Sequence, residues 1–161
     1  MQNLKGLIER LFESKIDFVL IGGYASVVHG ATLVTQDIDI CAALTETNIQ
    51  LLRNSFADLN PIHRMNPAAK LSFLTYPKDL NNLENIYLKT DFGVLDILSQ
   101  VPPIGDFERI KSQAIIVNLY GHKCHVISLQ DLITVKQSMK RPKDQQALEE
   151  LQIIQAKIKS T

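Results

Sequence analysis

Two short apolar runs, Phe18-Val19-Leu20-Ile21 and Asp37-Ile38-Asp39-Ile40, constrain how this chain can fold, and the second carries charge where a core strand should be apolar. The first ends on Gly22-Gly23, and thirteen residues separate that pair from Asp37. A continuous apolar run stopping at glycine suits a buried strand. In the second run, strand geometry puts Asp37 and Asp39 on one face, roughly 6.5–7 Å apart, with Ile38 and Ile40 on the other. A third carboxylate, Asp96, repeats the anomaly within Val94-Leu95-Asp96-Ile97-Leu98. Unpaired carboxylates in apolar strands are costly, which leaves a solvated sheet face as the plain structural alternative. If the strand of Asp96 pairs beside that of Asp37 and Asp39, facing Cβ atoms come within about 4.5–5.5 Å. Three like charges so close repel, so the cluster itself calls for a cation. Such carboxylates can hold two divalent ions about 3.5–4 Å apart, the spacing used for in-line phosphoryl displacement.

The rest of the chain supplies a frame for these strands. Leu4, Leu7, Ile8 and Leu11 recur at helical spacing, predicting an amphipathic helix over about 2–14. Gly30 is placed to end a short helix after Gly23, and a further helix runs from about Thr47 to Leu59, where Pro61 stops it. LSFLTY reads as a strand candidate, and NNLENIYLKTDFGVLDIL as two strands joined at Thr90–Gly93. SQVPPIGDF reads as a loop, and AIIVNLYGHKCHVI as a hairpin around Tyr120-Gly121-His122. Ser128 is an N-cap for the helix that follows, and after Arg141-Pro142 a last helix spans roughly 143–158. The expectation is an α+β domain covering 1–161, a mixed sheet of about five strands flanked by helices, with a core over about 16–127 and C-terminal helices over about 128–161.

Composition narrows the function classes. Seventeen basic and seventeen acidic side chains balance to zero, which argues against coating nucleic acid by bulk charge but not against a local basic groove. No apolar stretch approaches the roughly 20 residues that cross a bilayer, and the charged, amphipathic start is unlike a signal peptide. The expected location is cytoplasmic, without membrane contact, and Cys41 and Cys124 read as buried thiols. His122, Cys124 and His125 lack the second ligand pair a zinc site needs, and His29 reads as a helix-end residue.

The order hydrophobic–Gly–Gly, thirteen residues, Asp–hydrophobic–Asp–hydrophobic, then a later strand Asp, resembles the DNA polymerase β-type nucleotidyltransferase superfamily. More closely, GGYASVVHG…TQDIDI, FGVLDIL and ISLQDLITVKQSMKRPKDQQALEEL resemble small bacterial nucleotidyltransferases, similar to the nucleotidyltransferase toxins of abortive-infection systems. The resemblance implies a nucleotidyltransferase fold that transfers a nucleoside monophosphate from an NTP such as ATP to an acceptor hydroxyl, releasing pyrophosphate. It implies that Asp37 and Asp39 ligate two magnesium ions, with manganese as an alternative, and that Asp96 completes the site and serves as candidate general base. Gly22, Gly23 and Tyr24 would form the nucleotide turn, backbone amides donating to the phosphates. Two departures stand out: Gly23 replaces the phosphate-binding serine of many members, and Thr32-Leu33-Val34 lacks the arginine close relatives carry. The phosphate clamp is therefore expected from Lys136, Lys140, Arg141 and Lys143, with Lys70 and Lys89 weaker candidates; a solvated basic turn is the alternative.

The acceptor is open at this point. An RNA end, a protein side chain on a partner encoded nearby, and a small hydroxylated molecule of the aminoglycoside kind all fit. So does an interaction module that retains the fold without catalysis.

Overall fold

In the computed structural model, which describes residues 2–160, chain order is α1 (Leu4–Ser14), β1 (Val19–Ile21), α2 (Gly22–Val28), β2 (Asp37–Cys41) and α3 (Glu46–Phe56), then β3 (Ile62–His63), β4 (Asn85–Thr90) and β5 (Gly93–Leu98). It continues through β6 (Gln100–Val101), β7 (Gly105–Asp106), α4 (Phe107–Gln113), β8 (Ile115–Leu119), β9 (His122–Val126), α5 (Leu129–Ser138) and α6 (Pro142–Lys159). Residues 1 and 161 of the expected 1–161 domain lie outside the described residues.

Among the described residues the main sheet has seven strands in the order β3-β4-β5-β2-β1-β9-β8. It is mixed: β2 runs parallel to β5 and β1 parallel to β9, while the other neighbours are antiparallel. Ile38 and Ile40 are fully buried while Asp37 and Asp39 stay half-buried on the opposite face. That alternation fixes the register, since a one-residue slip would drive both carboxylates into the core. Leu7, Ile8 and Leu11 of α1, and Ile49, Leu52 and Phe56 of α3, are fully buried, each side chain contributing about 1.5–3 kcal/mol by burial. Helix α1 packs on α3 and reaches β2 and β5. Its start is capped by Asn3, whose side chain accepts from the Gly6 N–H at 2.9 Å. The pair α5–α6 packs together, joins the rest through contacts of α5 with α2, and sends Leu151 into the core.

Several expectations hold element by element. Ser128 caps α5 by accepting from the Asp131 N–H at 3.0 Å, His29 ends α2, and the two hairpins turn where expected. Others need correction. The sheet has seven strands rather than about five. LSFLTY is not a strand: Ser72 makes one isolated bridge to Ile62, and the edge position belongs to Ile62–His63. The proline loop contains the two-residue strands β6 and β7, and Asp106 then caps α4 by accepting from the Arg109 N–H at 3.0 Å. Helix α4 escapes a periodicity reading because its two buried apolar residues, Phe107 and Ile110, cover a single turn. Among the described residues no helix is long and apolar enough to cross a membrane.

Candidate active site

The pairing of four strands lays one row of residues across the sheet. Ile21 pairs with Asp39, Asp39 with Asp96, and Asp96 with Tyr87. The row ends at Arg64, whose backbone N–H donates to the Tyr87 carbonyl at 3.1 Å. Asp37 lies two residues along β2 from Asp39, so the three carboxylates share the face of the sheet opposite Ile38 and Ile40.

Gly22 follows Ile21 directly and opens α2 with a φ of 69°, the left-handed region that favours glycine. A side chain there is excluded twice over, because a Cβ on Gly22 would overlap the Asp39 carboxylate. At Gly23 a Cβ would come within 3.0 Å of the Thr35 hydroxyl. The glycine pair thus lets the β1–α2 turn close down on the carboxylates and on the loop before β2.

Beside the turn lies a cavity of about 630 Å³. Gly22, Gly23, Asp37 and Asp39 form one side, and the loop Thr32–Gln36 another. Lys136, Arg141, Lys143 and Asp144, from α5, α6 and the turn between them, face it. Thr32 is pinned to α6: its backbone N–H and hydroxyl both donate to one Glu150 oxygen, at 2.7 and 2.8 Å.

The basic side chains are organised by a carboxylate that the sequence reading left unassigned. Asp144 is fully buried and accepts from Lys136 at 3.3 Å and from Arg141 at 2.7 and 3.3 Å. Burial alone would raise its pKa; the hydrogen bonds and charges of Arg141 and Lys136 outweigh that and hold it below the usual carboxylate range. Lys136 and Arg141 are therefore fixed cations with a shared counter-charge, whereas Lys143 has no ion pair among the described residues.

Asp39 is the electrostatically strained member of the row. Burial, followed by the charges of Asp96 and Asp37, pushes its carboxyl up to about 7, with Arg64 pulling weakly the other way. Asp96, itself buried, is held by Arg64 in a two-pronged pair: Nε donates to one oxygen at 3.1 Å and Nη2 to the other at 2.5 Å. The guanidinium also lies over the Tyr87 ring, 5.3 Å from its centroid. Arg64 thus supplies one positive charge to the cluster of three carboxylates. Among the described residues no three His, Cys, Asp or Glu side chains converge as an ion-binding group. Asp37 and Asp39 still offer hard oxygen donors to the cavity, the donor type magnesium prefers.

Arg64 was legible only indirectly. It is the one arginine between α3 and β4, in a stretch without helical or strand periodicity. The demand of three carboxylates for a positive partner is the signal that points to it.

Other candidates lie elsewhere. Tyr24 does not line the cavity; its hydroxyl hydrogen-bonds that of Tyr120 at 2.5 Å, and burial, then Tyr120, raises its pKa. Lys70, Lys89 and Lys140 also lie outside the cavity lining. His29 bonds the Ile127 carbonyl at 2.8 Å, and His122 stacks on Phe12 at 4.5 Å.

No family model matches the chain, and no curated protein matches it by sequence. Solved structures do match its fold. A lincosamide antibiotic adenylyltransferase, LnuA, determined with lincomycin bound, is 22% identical at a TM-score of 0.61, covering 95% of this chain and 98% of that one. A Thermotoga maritima protein assigned as a nucleotidyltransferase is 13% identical at a TM-score of 0.53, covering 98% of this chain and 91% of that one. The chain has the nucleotidyltransferase fold, an α+β arrangement with a mixed sheet flanked by helices and a helical C-terminal segment.

Proposed function

We propose that this protein is a magnesium-dependent nucleotidyltransferase that moves a nucleoside monophosphate from an NTP, in the first instance ATP, to an acceptor hydroxyl. One observation carries the reading: Asp37 and Asp39 line a cavity closed by Gly22 and Gly23 and faced by Lys136, Arg141 and Lys143, while Asp96 stands directly across from Asp39. In the proposed reaction the acceptor oxygen bonds to the α-phosphorus, the bond from that phosphorus to the bridging oxygen breaks, and pyrophosphate leaves. Magnesium, when bound, neutralises the triphosphate and makes the acceptor hydroxyl more acidic. Asp37 and Asp39 hold the ions, with manganese as an alternative, and Asp96 takes part on the acceptor side as ligand and acceptor of the hydroxyl proton. Lys136, Arg141 and Lys143 bind the β- and γ-phosphates, with the Asp144 clasp keeping the first two in place. Gly22 and Gly23 allow the phosphates to approach the backbone.

For the acceptor we favour a small hydroxylated molecule. The likeness to a lincosamide adenylyltransferase over nearly the full length of both chains supports this class, and a net charge of zero supports it over a large RNA. The sequence resemblance to abortive-infection toxins supports the second reading, an RNA end or a protein partner encoded nearby as acceptor in a toxin–antitoxin or phage-defence pair.

The deciding experiment incubates the protein with magnesium and labelled NTPs in parallel with lincosamides, aminoglycosides, tRNA and cell lysate. Label on a small molecule supports the first reading, and label on RNA or protein the second. Incorporation that persists in both Asp39→Asn and Asp96→Asn refutes the proposed mechanism. Failure to bind Mg²⁺–NTP in a thermal-shift assay points instead to an interaction module.

A further inference from the structure

Like Arg109 on Asp131 and Arg141 on Asp144, Arg64 directs its side-chain hydrogen bonds to side chains alone, whereas Arg53 and Arg10 reach the backbone. Arg53 is anchored by two backbone carbonyls, those of Phe73 at 2.7 Å and Pro77 at 2.9 Å. Arg10 bonds the Ser55 carbonyl as well as Asp58. The side-chain hydrogen bonds of Arg64 go to Asp96 and, at 3.6 Å, to the weakly accepting sulfur of Met65. Its side chain is also 32% exposed, so solvent is available to it if it leaves.

Its position matters as much as its attachment. Asp37 and Asp39 line the large cavity; Asp96, Tyr87 and Arg64 continue the same row away from it. In-line displacement requires the acceptor to approach from the side opposite the leaving pyrophosphate. With the triphosphate in the cavity, the acceptor side is where Arg64 now lies over Tyr87 and occupies both oxygens of Asp96.

We propose that Arg64 is an exchangeable counter-ion for Asp96: it holds the carboxylate until a divalent cation replaces it, and its departure uncovers Tyr87 for the acceptor. This rests on the nucleotidyltransfer reading for the metal but concerns a positioning residue that the reading does not assign. The exchange keeps Asp96 paired with a cation throughout, a divalent ion taking the place of the singly charged guanidinium. It also keeps Asp96 correctly oriented before metal binds, since a bidentate guanidinium fixes both carboxylate oxygens.

The test is Mn²⁺ affinity, measured by electron paramagnetic resonance on nucleotide-free wild type, Arg64→Ala and Arg64→Gln. Removing a resident competitor should tighten Mn²⁺ binding roughly tenfold, the scale of a charge-assisted hydrogen-bonded pair. Equal or weaker binding in both variants overturns the proposal and leaves the nucleotidyltransfer reading standing. No Mn²⁺ binding by any form overturns both. Tighter binding without any nucleotide transfer supports the counter-ion role and counts against the proposed reaction. A measurement on the wild type avoids dependence on variant folding: the Arg64 Nε–H resonance should shift on titration with Mg²⁺. A signal unchanged at Mg²⁺ concentrations that displace bound Mn²⁺ overturns the exchange.

Discussion

Gly22 lies so close to Asp39 that a single added carbon would collide with the carboxylate. The relationship ties a left-handed glycine to a carboxylate whose pKa is raised by burial and by its charged neighbours. Gly22→Ala should lose nucleotide transfer and destabilise the fold. The left-handed φ of 69° costs about 1–2 kcal/mol for a residue with a Cβ, and displacing Asp39 adds to it. A chain of this size loses about 2–4 °C per kcal/mol, so calorimetry should show a fall in Tm of at least several degrees.

Asp39→Asn and Asp96→Asn should move stability in opposite directions although both abolish transfer. Neutralising Asp39 relieves its burial and its repulsion by Asp96 and Asp37, so the metal-free Tm at pH 8 should rise. Neutralising Asp96 removes the counter-charge of Arg64 and should cost about 1–3 kcal/mol. Denaturant unfolding of the chelator-treated proteins checks the signs. Movement of both variants in the same direction would contradict the charge distribution described for the row.

The pH dependence of that difference follows from Asp39. Its carboxyl titrates near 3.9 when unfolded and is raised to about 7 in the folded protein. A raised pKa favours folding fully below the unfolded value, and that contribution is lost as pH climbs through the folded one. The Tm advantage of Asp39→Asn over wild type should therefore be least near pH 4 and grow through pH 7. Thermal melts of the two proteins at matched ionic strength test it, and an advantage that shrinks over the same range would be incompatible with it.

Asp144→Ala should damage the clamp from behind. Lys136 is only 16% exposed and would lose its partner, while Arg141 is 61% exposed and regains water. A stability loss of about 1–3 kcal/mol is expected, together with a higher KM for NTP and a smaller change in kcat. Steady-state kinetics at saturating acceptor separates the two.

The cysteines should be chemically quiet. Cys41 and Cys124 are buried, and burial pushes their thiols up to about 12 and about 11. Thiolate is the reactive form, so Ellman's reagent at pH 8 should react with the native protein slowly and with the unfolded protein at once.

Periodicity carried the sequence reading wherever burial was one-sided. Ile38 and Ile40 alternate with two aspartates, so the strand, its faces and its carboxylates could all be read before the fold was known. The residues that escaped lie where local pattern is silent. Arg64 directly follows a two-residue edge strand and meets Asp96 thirty-two positions away. Asp144 carries no role in the sequence reading of RPKDQQ, because a carboxylate buried among its own partners leaves no periodic trace. Likewise nothing near Tyr24 foretold that its hydroxyl would meet Tyr120, ninety-six residues on. Long-range polar pairing is decided by topology, and the order β3-β4-β5-β2-β1-β9-β8 was not encoded in any one segment.

The tie between Thr32 and Glu150 joins the loop before β2 to the last helix across more than a hundred residues of chain. The walls of the cavity are therefore assembled from both ends of the sequence, and neither end makes the chamber alone. A truncation that removes α6 takes away Asp144, Lys143 and the Glu150 anchor together, so loss of binding in a shortened protein would reflect a missing half of the vessel rather than damage to its carboxylates.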